Sequence, residues 1–119
     1  MEEFKNRQGA TARLNMALGA LHQVASVAIV AVIVFGDIAN ASDGVKRLVA
    51  FIAVITSVTS WIFTSNALIA FQNDSKDMTD AEKATALGST EVKQPWMVYQ
   101  IYILAITAAT IVFVLSSIY

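Results

Sequence analysis

Histidine can act as an acid, a base or a metal ligand. This chain has one histidine, His22. Cysteine is absent, which excludes thiolate ligands, cysteine nucleophiles and disulfides. Zinc sites built by one chain use several His or Cys ligands. We therefore expect no catalytic residues and no metal site assembled from this chain alone.

His22 lies within a long uncharged stretch, and four hypotheses for its role stay open. It could bond to a hydroxyl on a neighbouring segment, such as Ser60 or Thr64, contact a partner subunit or lipid head group, ligate haem, or relay protons. In size the chain resembles the small three-span anchor subunits of respiratory complexes. That resemblance implies a haem or quinone shared with another subunit, held in part by His22.

Charged side chains are missing from three long stretches, 14–35, 48–71 and 96–119. Carboxylate-based membrane enzymes, ion pumps and proton-coupled transporters rely on such groups inside the membrane. Bacterial diacylglycerol kinases are similar in length and number of spans, but they depend on acidic residues in and near their helices. This pattern predicts that the protein is not an enzyme and carries no cofactor of its own.

The uncharged stretches are 22, 24 and 24 residues long. As helices they would each measure about 33–36 Å, enough to cross a hydrocarbon layer of about 30 Å. Only 14% of all residues are charged, against about 25% in soluble proteins. A transmembrane barrel needs at least about 8 strands of alternating polarity. The sequence therefore predicts an all-α integral membrane protein with three transmembrane helices.

We divide this single membrane domain by its charged residues. One short cytoplasmic helix is expected in the second loop, because Thr79 and Glu82 match a capping box and Gly88 suits the position after its last turn. The predicted segments are a polar tail at 1–13, a first span at 14–36, an outer loop at 37–47, a second span at 48–72, a cytoplasmic loop at 73–95 with the helix at about 80–87, and a third span at 96–119.

The distribution of lysine and arginine predicts the orientation. Six basic residues lie in the tail and the second loop, against Lys46 and Arg47 in the first loop and none after the third span. Cytoplasmic loops carry an excess of Lys and Arg. We expect the N-terminus in the cytoplasm and Tyr119 outside, in an inner membrane or a membrane derived from it.

Small and hydroxyl-bearing residues repeat at spacings of three and four, which places them along single helix faces. Such faces let membrane helices approach closely, and hydroxyls can bond across the contact. We predict helix packing at Gly19 and Ser26 in the first span, Ala50, Ala53, Ser57, Ser60, Thr64 and Ala67 in the second, and Ala105 and Ala109 in the third.

Aromatic residues mark the ends of the third span. Trp96, Tyr99 and Tyr102 form a belt at its start, and Tyr119 lies at its end. Trp and Tyr are enriched where membrane meets water, so these residues are predicted interface anchors.

These features favour a non-catalytic structural or accessory subunit of a larger assembly, such as a respiratory or photosynthetic complex, a secretion apparatus or the internal membrane of a virus. Its expected partners are lipid and other membrane subunits or copies of itself, and the net charge of −1 gives no basic field for nucleic acid. An oligomeric pore former of the holin type is the first alternative, and an anchor subunit using His22 is the second.

The segment before Ala39-Asn40-Ala41 has some features of a cleavable signal sequence, because a basic tail and an apolar run precede this A-x-A pattern. The apolar run is longer than the usual 7–15 residues of such signals. We expect residues 1–41 to stay in the molecule.

Overall fold

A computed structural model describes residues 2–119 of the chain, and within this range the protein is all-helical with no strand. Five α-helices and one short 3₁₀ helix follow each other along the chain. Their bounds are α1 (Glu2–Phe35), the 3₁₀ helix (Ile38–Asn40), α2 (Asp43–Lys76), α3 (Asp80–Lys83), α4 (Ala86–Val92) and α5 (Trp96–Ile118).

Three of these helices, α1, α2 and α5, are long and apolar enough to cross a membrane. A continuous helix suits an apolar solvent because it pairs its own backbone N–H and C=O groups without help from water. Helix α2 is the centre of the bundle: α1 packs along it on one side and α5 on another, while α1 and α5 touch each other little.

The apolar core lies at the end of the bundle where α1 turns into α2. Ile38 of the 3₁₀ helix is buried there with Ala50 and Ala53 of α2 and with Val114 and Ile118 of α5. Ile29 and Ile33 of α1 pack against this cluster while staying partly exposed. The three long helices therefore share one apolar core at this end.

The long helices extend beyond the uncharged stretches from which they were predicted. Helix α1 begins at Glu2, so the described part of the predicted polar tail is helical, and α2 runs from Asp43 to Lys76. Ser42 caps α2, since its side chain accepts a hydrogen bond from the backbone N–H of Val45 at 3.4 Å. Helical hydrogen bonds form in water as well as in lipid, so charge marks the edge of an apolar stretch but not the end of a helix.

The prediction of one connector helix is wrong, because two short helices, α3 and α4, form there. The capping box is present: Glu82 N–H donates to Thr79 Oγ1 at 3.2 Å, and Thr79 N–H donates to the Glu82 carboxylate at 2.6 Å. Thr85 then caps a new helix by accepting from Gly88 N–H at 3.0 Å. Gly88 consequently lies inside α4, where it is buried and so close to Glu82 O that a Cβ would overlap that oxygen.

The turn after α1 depends on Asp37, which has a left-handed backbone with φ of 53°. The Asn40 side chain donates to both oxygens of the Asp37 carboxylate, at 2.9 and 3.1 Å. Asp and Asn tolerate this conformation better than other residues that have a Cβ. The bonds to Asn40 thus hold the turn that brings α2 back along α1.

Replacing Asp37 by alanine should destabilise the fold by about 1–3 kcal/mol, since the left-handed strain stays and the bonds to Asn40 are lost. Asp37→Gly, the matched control, removes the strain together with the bonds and should cost less than the alanine variant. Equilibrium unfolding in mixed detergent micelles measures both. Equal losses in the two variants would show that backbone strain at this position does not matter.

Candidate functional site

Helices α1 and α2 approach each other closely at Gly19, which is buried against Ser60 and Thr64. A Cβ added at Gly19 would overlap Thr64 Oγ1 and would lie 3.4 Å from both Ser60 O and Thr64 N. The Ser60 hydroxyl donates to Gly19 O at 2.9 Å, and Gln23 Oε1 lies 3.1 Å from the same hydroxyl. We call Gly19, Gln23, Ser60 and Thr64 the α1–α2 seam.

The predicted small-residue face of α2 is turned into the protein along most of its length. Thr64 is half-buried and Ser26, on α1, is buried. The other predicted members are all buried: Ala50, Ala53, Ser57, Ser60 and Ala67. Their small size permits the close packing of α1 and α5 on the central helix.

His22 does not bond to a hydroxyl of α2, which contradicts the first of the four hypotheses, a bond to Ser60 or Thr64. Its Nδ1 lies 2.8 Å from Leu18 O, four residues earlier on the same helix. The ring packs against Phe63, with the ring centroids 5.7 Å apart. Because a carbonyl can only accept, this bond requires a proton on Nδ1. Gln23, the next residue, faces Ser60 in its place.

A second polar contact joins α2 to α5 and was not predicted. The Ser65 hydroxyl donates to Gln100 Oε1 at 2.9 Å, and Gln100 Nε2 donates to Ser65 O at 3.2 Å. These two bonds close a ring between the helices, which we call the Ser65–Gln100 clamp. Gln100 is the only amide side chain in the third uncharged stretch, and this was the signal in the sequence that could have pointed to it.

The predicted packing residues of α5, Ala105 and Ala109, are exposed in the structure. The side of α5 that packs on α2 includes Gln100, Val114 and Ile118, of which Val114 and Ile118 are buried. At 100° per residue, Ala105 and Ala109 point away from this side, in roughly the opposite direction. No segment among residues 2–119 covers this alanine face.

Of the three aromatic residues at the start of α5, Trp96 and Tyr99 pack against each other and Tyr102 is exposed. The rings of Trp96 and Tyr99 meet edge to face, with centroids 5.9 Å apart. Trp96 Nε1 is buried and has no hydrogen-bond partner within residues 2–119. Tyr102, one turn further along, is 63% exposed, and Tyr119 at the other end of α5 is exposed as well.

The polar side chains of the long helices are engaged mainly in hydrogen bonds within and between helices. Residues 2–119 contain no group of three His, Asp or Glu side chains that could hold a metal ion. Serine and threonine hydroxyls of α5 mostly bond back to their own helix, as in the bond from Thr107 Oγ1 to Ile103 O at 2.8 Å. The side-chain bonds between the spans are those of the α1–α2 seam and the Ser65–Gln100 clamp.

Gly19→Ala should destabilise the protein by about 1–3 kcal/mol, because the new methyl group must push Thr64 and α2 away. Gly9→Ala is the matched control on the same helix, since a Cβ at Gly9 meets only Arg13 Nη1 at 3.9 Å. The control should be neutral or slightly stabilising, because alanine favours helix. Unfolding in mixed micelles compares the two, and equal stability would contradict the close approach at Gly19.

The Ser65–Gln100 clamp can be measured by a double-mutant cycle with Ser65→Ala and Gln100→Leu. We expect a coupling free energy of about 0.6–1.7 kcal/mol, the range found for hydrogen bonds between membrane helices. Ser117→Ala combined with Gln100→Leu serves as the control cycle, since Ser117 bonds to Phe113 O of its own helix. A coupling of zero in the first cycle would mean that the two side chains do not stabilise each other.

Comparison with known proteins identifies no family for this chain. No protein-family model matches the chain, and neither a curated protein nor a solved structure matches it significantly.

Proposed function

We propose that this chain is an integral membrane protein that serves as a non-catalytic structural or accessory subunit of a larger membrane assembly. The observation that carries the proposal is the contrast between two small-residue faces. The face of α2 is buried within the chain, whereas Ala105 and Ala109 of α5 are uncovered. A small-residue face permits the close approach of another helix, and here that helix would come from a neighbouring subunit.

The exposed surfaces of the long helices support insertion into lipid. In the apolar windows of α1 and α5 only 11% of the residues are buried within the chain. Large apolar side chains are left open, including Leu21 at 63% and Phe113 at 73% exposure. Soluble monomers rarely expose contiguous apolar patches of this kind. Lipid and neighbouring helices together would cover them.

The use of the polar side chains supports a structural role over a catalytic one. Ser60, Ser65 and Gln100 are engaged in bonds between helices. Such groups in an apolar environment are stable when they are paired. Their pairing holds the bundle together and leaves the alanine face of α5 as the surface for assembly.

The proposed orientation has the N-terminus in the cytoplasm. The start of α1 and the connector helices lie at the same end of the bundle, where Ser75 Oγ donates to Glu91 O at 3.3 Å. Most lysine and arginine residues belong to the segments at this end. The positive-inside rule therefore favours this end on the cytoplasmic side.

Cysteine cross-linking in native membranes tests assembly through α5, because the natural chain has no cysteine. We expect Ala105→Cys and Ala109→Cys to form disulfide-linked dimers on oxidation, or links to a partner protein that carries a cysteine. Ala108→Cys is the matched control for Ala109→Cys: it is also exposed, but it points about 100° away from Ala109. It lies only about 60° from Ala105, so the comparison is made with Ala109→Cys. Cross-linked species are separated by size under non-reducing conditions.

Mild-detergent purification followed by mass spectrometry detects partner proteins that have no reactive cysteine and so cannot be cross-linked. Recovery of a stable oligomer or of defined membrane partners supports the proposal, and their contacts should weaken in Ala109→Leu. A monomer without partners, combined with equal cross-linking at Ala108 and Ala109, would rule out assembly through this face.

A further inference from the structure

A lateral cleft opens between α1 and α5, with α2 as its floor. It has a volume of about 230 Å³ and is lined mainly by apolar atoms. The two outer helices both pack on α2 but meet each other only weakly, which leaves this space beside the α1–α2 seam. Its principal lining residues are Ala20, Gln23, Ser60, Trp61, Thr64 and Tyr102.

Two side chains of this cleft, Gln23 and Thr64, each carry a hydrogen-bond donor that has no partner within residues 2–119. Gln23 has two N–H donors and Ser60 is its only side-chain contact, so at least one donor stays unpaired whichever way the amide is turned. The Thr64 hydroxyl, in a half-buried side chain, also makes no hydrogen bond within this part of the chain. Unpaired donors are unfavourable in an apolar environment, and a ligand with acceptor oxygens would pair them.

The remaining lining residues restrict the ligand further. No lining residue is charged, which favours a neutral molecule. The side chains of Trp61 and Tyr102 offer aromatic surfaces against which a planar ring can stack. Pockets that enclose a whole drug-sized ligand measure about 300–1,000 Å³, so this smaller cleft fits a single substituted ring whose tail remains in the lipid.

We propose that this cleft binds a membrane-dissolved quinone-class molecule, with a ring carbonyl accepting from Gln23 or Thr64 and the ring lying against Trp61. This is reversible binding without electron transfer. The inference rests on the membrane insertion in the proposed function but not on which subunits the chain joins. Two features carry it: the unpaired donors, and the lateral opening between α1 and α5, which the proposed membrane insertion would turn toward lipid.

Tryptophan fluorescence tests the binding directly, because Trp61 lies in the cleft and Trp96 does not. The full chain carrying Trp96→Phe is placed in phosphatidylcholine nanodiscs and titrated with decylubiquinone. Binding predicts quenching of Trp61 that saturates, whereas collisions in the bilayer give quenching that rises steadily with concentration. Quenching without saturation, as expected if phospholipid chains fill the cleft, overturns the proposal.

Two matched pairs of variants locate the site. Ala20→Phe should fill the cleft and abolish saturation, while Ala17→Phe, exposed on the same helix but outside the lining, should not. Thr64→Val should weaken binding by about three- to tenfold through loss of one hydrogen bond, and Thr110→Val should leave it unchanged. Saturation that is unaffected by both Ala20→Phe and Thr64→Val would exclude this cleft.

Circular dichroism and recovery in nanodiscs show whether each variant folds. Should Ala20→Phe fail to fold, the isosteric pair Thr64→Val and Thr110→Val decides the question. A parent chain that does not insert into the bilayer would contradict both the proposed function and the cleft. Insertion without saturable quenching would contradict the cleft alone.

Discussion

The structure depends on the pairing of polar groups within stretches of sequence that contain no charge. In an apolar surrounding each unpaired N–H, C=O or hydroxyl is costly, so the backbone forms uninterrupted helices. The same constraint acts on side chains. Ser60 bonds to the backbone of α1, Ser65 bonds to Gln100 of α5, and Ser26 bonds to His22 O within its own helix. The contacts between helices are therefore set by a few polar residues in an apolar background.

Helix α2 occupies the centre because its polar and small residues are divided between two faces. Ser60 and Ser65 are five residues apart, which places them about 140° apart around the helix. One face holds α1 through the seam, and the other holds α5 through the clamp. Since α1 and α5 approach from different directions, they converge only at the core around Ile38 and Ile118. The cleft beside Trp61 results from this geometry.

The sequence was sufficient to predict three long helices and the packing side of α2, because apolar length and small-residue spacing are local properties. It was insufficient at the helix ends, where Glu2 and Lys76 continue helices into polar sequence. The sequence also left four roles open for His22, since the spacing of residues does not reveal that its Nδ1 reaches the Leu18 carbonyl one turn earlier. Gln100 was overlooked because small residues were sought on α5, whereas this helix is held by an amide.

Ala105 and Ala109 illustrate a different limit of sequence analysis. The same spacing that is buried in α2 is left open in α5, because within the chain α5 has only one large contact surface and Gln100 and Val114 occupy it. A pattern of small residues predicts that a helix can be approached closely, but the approaching helix need not belong to the same chain. Helix α2 packs against two long helices of the same chain, α1 and α5, whereas α5 packs mainly against α2. The apolar core around Ile38 and the clamp fix α5 on α2. This orientation turns the alanine face outward, where the proposed second helix would pack.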